Sequence, residues 1–171
     1  MSLSSNYVID AAIHQLPDGR YRMWYKDEGN NSETYCADSS DLYNWQVIGP
    51  VITDFPHEGV NVFQWKDSYW LIVDKWDGQA VYRSENGQDW TYNSTILDQD
   101  GTRPDDTGYG YHADVLVNQD KAYIFYFTHP ERGKDPNQSY HSKRSSIQIA
   151  ELEHNNGKII CDRNKDFRLI L

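Results

Sequence analysis

Cysteine is nearly absent. The two present, Cys36 and Cys161, lie far apart. Neither sits in a metal-ligand or redox spacing, which excludes a thiolate metal centre and a Cys-x-x-Cys site. They read as small residues buried in strands, with a single bridge between distant segments as the alternative. Long apolar runs are also missing. The densest, residues 122–127, has the length of a strand, whereas a membrane-spanning helix needs ~20 apolar residues. Positive charge is scarce: 16 Lys and Arg face 26 Asp and Glu, a formal net charge of −10. A nucleic-acid binder needs cationic surface to displace counterions from phosphates. An anionic membrane repels such a chain for the same reason, so neither partner is expected. A carbohydrate, neutral and polar, meets no such objection. No window carries a sustained i, i+3, i+4, i+7 apolar pattern, so no long helix is expected. The first residues lack the basic segment and apolar core of a signal peptide. The natural start is expected to lie upstream, which leaves the cellular location open.

Aromatic side chains are abundant, at 14% of 171 residues with thirteen Tyr and six Trp. Disordered chains lack such residues. Rings that pack on one side and meet water on the other suit half-exposed β-sheet. The length suffices for one domain with a sizeable core.

An internal repeat organises the chain. The segments DAAIHQLPDGRYRMWYKDE from Asp10, EGVNVFQWKDSYWLIVDKW from Glu58 and HADVLVNQDKAYIFYFTHP from His112 align without a gap. Tyr21, Tyr69 and Tyr123 each stand eleven residues after the lead residue. The pairs Asp18-Gly19, Lys66-Asp67 and Asp120-Lys121 mark the turn of a hairpin, Asp-Gly most strongly, because its two residues favour φ > 0. A third strand follows in each repeat (ETYCADS, QAVYRSE, SSIQIAEL) and then a fourth (WQVIG, WTYNS, KIICD). Four antiparallel strands at a period near fifty residues predict an all-β fold: a β-propeller of four-stranded blades. Three blades are expected, at about residues 8–50, 56–96 and 110–165 of a single domain, residues 1–171. Propellers close with about four to eight blades. The chain is therefore expected to be part of a ring, or to associate with itself through exposed blade edges. The connection from Thr128 to Ser145, with Arg132, Lys134, Lys143 and Arg144, reads either as a solvated excursion or as a lid near the ligand.

In a propeller the first strand of each blade lines the central channel. Asp10, Glu58 and His112 lead those strands, so two carboxylates and an imidazole are expected at one funnel. Glycoside hydrolysis uses carboxylates in this way: one protonates the leaving oxygen, and another activates water or attacks the sugar. A further negative charge nearby holds the acid's pKa up. Asp10 and Glu58 are thus the catalytic candidates. Trp76, with Lys75 beside it, and His112, with Tyr111 beside it, are the substrate-binding candidates. Trp24, Trp65 and Trp70 are expected mainly in blade packing, and His57 is expected to be only a neighbour of Glu58.

These segments resemble glycoside hydrolase family 43 and its five-bladed propeller relatives over roughly residues 7–162. IDAAIHQLPDGRYRMWY resembles the blade with that family's pKa-modulating Asp, which implies this role for Asp10. HEGVNVFQWKDSYWLIVD resembles the blade with its general-acid Glu, which implies that role for Glu58, although Val60 stands where proline is usual. SSDLYNW and SENGQDW resemble its Ser-x-Asp…Trp blade endings. YHADVLVNQDKAYIFYFTH resembles the following blade, whose His lies near a bound calcium. The resemblance therefore implies an inverting glycosidase with a carbohydrate substrate. It also implies no required cofactor, and a structural calcium at the propeller centre near His112. That family's catalytic base is an Asp on the blade that would precede Asp10.

Overall fold

The period-two hairpins fold as three antiparallel sheets of four strands each. The structure, a computed structural model, describes residues 3–133 and 140–170. Blade 1 consists of β1 (Val8–Gln15), β2 (Tyr21–Asp27), β3 (Glu33–Ser39) and β4 (Gln46–Ile52). Blade 2 consists of β5 (Glu58–Trp65), β6 (Ser68–Asp74), β7 (Gln79–Ser84) and β8 (Thr91–Ile96). Blade 3 consists of β9 (Tyr111–Asn118), β10 (Lys121–Thr128), β11 (Ser146–Asn155) and β12 (Lys158–Ile160). One short helix, α1 (Tyr140–Lys143), lies in the connection before β11. Lys134 falls outside the described residues. Among the described residues no helix is long and apolar enough to cross a membrane.

The sheets stack face to face, with β5 in contact with both β1 and β9. Trp24, Cys36, Val62, Leu71 and Tyr82 close the interface between blades 1 and 2. Trp65, Trp70, Ile72, Val81, Ile124 and Leu152 close the one between blades 2 and 3. β6 therefore has a sheet on either side, and every one of its residues is buried. This explains why SYWLIVD reads as a continuous apolar run rather than an alternating one. Trp24, Trp65 and Trp70 are core residues. Both cysteines are free.

Polar side chains lock each blade to the next at matching places. Thr34 and Gln79 occupy the same register position, and neither is exposed. Thr34 Oγ1 lies 2.6 Å from His57 Nε2, and Gln79 Nε2 donates to the Gly110 carbonyl at 2.9 Å. His57 and Gly110 each precede the next blade's first strand. His57 is thus a fully buried latch rather than a mere neighbour of Glu58. In the connection from β8 to β9, the fully buried Asp106 ties the chain to blade 3: it accepts from Tyr126 Oη and Arg103 Nη2, both at 3.0 Å, and from Arg163.

Two details differ from the sequence expectation. The third hairpin turns at Gln119-Asp120, with Asn118 paired to Lys121 and Gln119 at φ 54, rather than at Asp120-Lys121. The repeat register also shifts. Asp10 and Ala11 together face Tyr25, Gly59 and Val60 face Val73, and His112 and Ala113 face Tyr126. Each pair is a β-bulge, whose extra residue kinks the strand and re-aims its side chains. The first residue of each has positive φ: Asp10 57, Gly59 60 and His112 35. The structural equivalents are therefore Asp10, Gly59 and His112. Glu58 stands one residue earlier, level with Ile9 and Tyr111. The gapless alignment hides this offset because the first hairpin is one residue longer than the second, and because Tyr123 stands one position further along its strand than Tyr69. Gln15 pairs with Tyr21 across a longer loop, whereas Trp65 pairs directly with Ser68.

Candidate active site

The three bulges bring Asp10, Glu58 and His112 to one end of the first strands despite the register offset. Asp10 Oδ2 accepts the Gly59 amide at 3.1 Å and lies 3.6 Å from His112 Nε2. One carboxylate oxygen from blade 1 thus meets the bulges of blades 2 and 3. Gly59 makes this closeness possible. A Cβ there would come within 2.7 Å of the His112 ring, and its φ of 60 suits glycine. Below these residues a groove of about 310 Å³ runs between the first strands, past Ala12, Asn61 and Asp114. A larger groove of about 430 Å³ lies along Arg83–Asn93. It holds none of the converging groups, so the chemistry points to the smaller one.

Two further charged residues complete the cluster, and both stand near the end of the second strand of a blade. Lys26 and Asp74 hold the same register position, opposite Ile9 and Glu58. Lys26 Nζ donates to Glu58 Oε2 and Glu28 Oε1, each at 3.2 Å. Burial lowers the Lys26 pKa, but the bonds to Glu58 and Glu28 outweigh it and leave the pKa raised, so this side chain stays an ammonium. Asp74 is only 1% exposed. Its Oδ2 accepts the His112 amide and its Oδ1 the Trp76 amide, both at 2.8 Å. Burial pushes the Asp74 pKa up. The two amides oppose the rise, the Glu58 charge adds to it, and the net shift is upward. Neither residue was foreseen from sequence, although a charge ending an apolar strand (RMWYK, YWLIVD) was the available signal.

Trp76 is 42% exposed at φ 64, and the Lys26 ammonium lies 5.7 Å from its ring centroid. A half-exposed indole beside an ion pair offers an apolar face to water. Lys75 turns away from the cluster and pairs with Asp77 in its own loop. Tyr111 sits at the margin, stacked on Phe127 at 5.7 Å, with the Arg132 guanidinium 5.3 Å from its centroid.

Glu58, Asp74 and His112 each offer a ligand atom within 4.8 Å of the others. Calcium takes about six to eight oxygen ligands. Here one of the three donors is an imidazole, Asp74 already holds two amides, and Glu58 is paired with an ammonium. This donor set does not fit calcium.

Solved structures share this architecture. A family 117 glycoside hydrolase from Zobellia galactanivorans matches over 91% of this chain and 55% of its own, with TM-score 0.71 and 14% identity. A family 43 enzyme from Xanthomonas citri, solved with xylose, matches over 93% and 57%, with TM-score 0.62 and 16% identity. A family 32 β-fructofuranosidase from Bombyx mori matches over 91% and 37%, with TM-score 0.65 and 14% identity. The chain has the fold of the propeller glycoside hydrolases. It spans between about a third and three-fifths of the length of these enzymes. No protein-family model and no curated protein matches the sequence.

Proposed function

We propose that the chain carries the acid side of a glycoside hydrolase site, with Glu58 as general acid, Asp10 as the charge that sustains its proton, and Trp76 as the platform for the sugar. The observation that carries this reading is the convergence of carboxylates from two blades on one imidazole-lined funnel. In the reaction, Glu58 gives its proton to the glycosidic oxygen as the bond to the anomeric carbon breaks. A water activated by a base outside these three blades attacks that carbon from the opposite side and inverts it. Asp10, held by the Gly59 amide, supplies negative charge near the acid. His112 lines the sugar pocket. Xylo- and arabino-configured glycosides are the substrates to try first, because structural neighbours include an enzyme solved with xylotriose and an arabinofuranosidase.

One observation favours a second reading, a carbohydrate-binding propeller that does not cleave. Lys26 holds Glu58 in an ion pair, and a proton donor has to leave that pair before it can act. Nitrophenyl xyloside and arabinofuranoside hydrolysis separates the readings. The enzymatic reading expects cleavage that falls about a hundredfold or more in Glu58→Gln, the range lost with a general acid, with sugar binding retained. Binding of xylotriose without cleavage of any glycoside selects the second reading.

A further inference from the structure

We infer that Asp74 is the positioning residue of this site: one buried carboxylate, through its two oxygens, sets the aim of both His112 and Trp76. The consequence for ligand binding rests on the carbohydrate reading above; the geometry does not. His112 arrives from blade 3 and Trp76 from the loop after β6, and both stand at backbone angles that need an outside restraint. His112 is the extra residue of a bulge at φ 35, and Trp76 stands at φ 64 outside any strand. L-residues rarely adopt such backbone angles unless the surroundings hold them there. The shared restraint is Asp74, whose two oxygens accept the two amides at 2.8 Å each. The carboxylate is 1% exposed, so water does not compete for these bonds.

The register supports a dedicated role for this position. Asp74 and Lys26 are equivalent, and both reach forward to the start of the next blade. Lys26 grips the Glu58 side chain, and Asp74 grips the His112 backbone. In blade 3 the same position is Phe127, whose ring lies 6.5 Å from that of His112 and nearly parallel to it. His112 is thus held by its amide from behind and by a ring at its side. Its imidazole is left facing Asp10.

Asp74→Asn tests this with little change of shape. An amide offers one acceptor oxygen and turns its NH2 toward the other backbone N–H, so one of the two residues must be released. In the wild-type protein, NMR couplings across hydrogen bonds are expected from the His112 and Trp76 amide nitrogens to the Asp74 carboxyl carbon. Their absence overturns the proposal whether or not any variant folds. In Asp74→Asn, one of these amides is expected to shift upfield, while core signals such as Val81 and Ile124 stay in place. Xylotriose affinity, read by tryptophan fluorescence, is expected to fall about tenfold as the platform or the imidazole loses its aim. A displaced amide with unchanged xylotriose affinity makes Asp74 a purely structural group and overturns the proposal. If the wild-type protein binds neither xylotriose nor cellotetraose, the carbohydrate reading falls. Asp74 is then judged on ring contacts: loss of the His112–Phe127 or Trp76–Lys26 proximity in the variant supports it, and unchanged contacts overturn it.

Discussion

At the scale of the residue, polar side chains do two kinds of work. Asp10, Lys26, Glu58 and Asp74 build the funnel, whereas His57, Thr34, Gln79 and Asp106 hold the blades together. His57 gives the second kind a pH signature. Burial lowers its pKa below the ordinary 6.5, more than its bond to the Phe55 carbonyl raises it. Nδ1–H donates to that carbonyl at 2.7 Å, which leaves Nε2 to accept the Thr34 hydroxyl at 2.6 Å. The folded state keeps this ring neutral, while the unfolded chain takes up a proton near pH 6.5. Its stabilisation is therefore full above that pH and is lost as the pH falls toward the lower folded value. Tm is expected to drop between about pH 7.5 and pH 5 in part because of this residue. The check is the same scan on His57→Gln, which should lack that part of the drop. The convergence of the first group was legible only in part. Asp10, Glu58 and His112 stand out because they lead the three repeats, and Trp76 because it follows the second strand into a loop. Lys26 and Asp74 do not, because their meaning comes from contacts with the neighbouring blade, which no local pattern records.

At the scale of the element, the loops closing the third strands show how closely sequence can dictate backbone. Ser39 Oγ accepts the Asp41 and Leu42 amides, and Asp41 Oδ1 accepts those of Tyr43 and Asn44. Ser84 and Asn86 repeat the pattern with Asn86, Gly87, Gln88 and Asp89. Side chains that bond nearby backbone amides define such turns in the sequence itself. The match extends to the residue at positive φ, which is Gly87 at 71 in blade 2 but Leu42 at 64 in blade 1. A left-handed L-residue costs about 1–2 kcal/mol, part of which glycine forfeits to unfolded-chain entropy. Leu42→Gly is therefore expected to stabilise the protein by about 0.5–1 kcal/mol, read as a higher denaturant midpoint at unchanged slope. The strands were equally legible: ETYCADS is β3, residue for residue. The first-strand bulges were not, because a bulge leaves no composition signal unless it falls on glycine. Gly59 was that signal, and alignment on the tyrosines passed over it.

At the scale of the whole molecule, the three blades make two complete interfaces and one end where charged groups converge. Blade 2, covered on both faces, is the core. Blade 1 supplies Asp10 and Lys26, blade 2 Glu58, Asp74 and Trp76, and blade 3 His112. The propeller architecture could be inferred from the repeat alone, because three alike units need each other to bury their faces. The position that is buried as Thr34 and Gln79 in the first two blades is Ile147 in the third, 79% exposed. The convergence at the funnel is the claim on which the rest depends. Calorimetric titration of xylotriose into the wild-type protein and into Trp76→Ala tests it most directly. Saturable binding that weakens about tenfold or more without the indole, a loss of ~1.4 kcal/mol, is the predicted result. No binding to the wild-type protein, or equal binding to both, would contradict it.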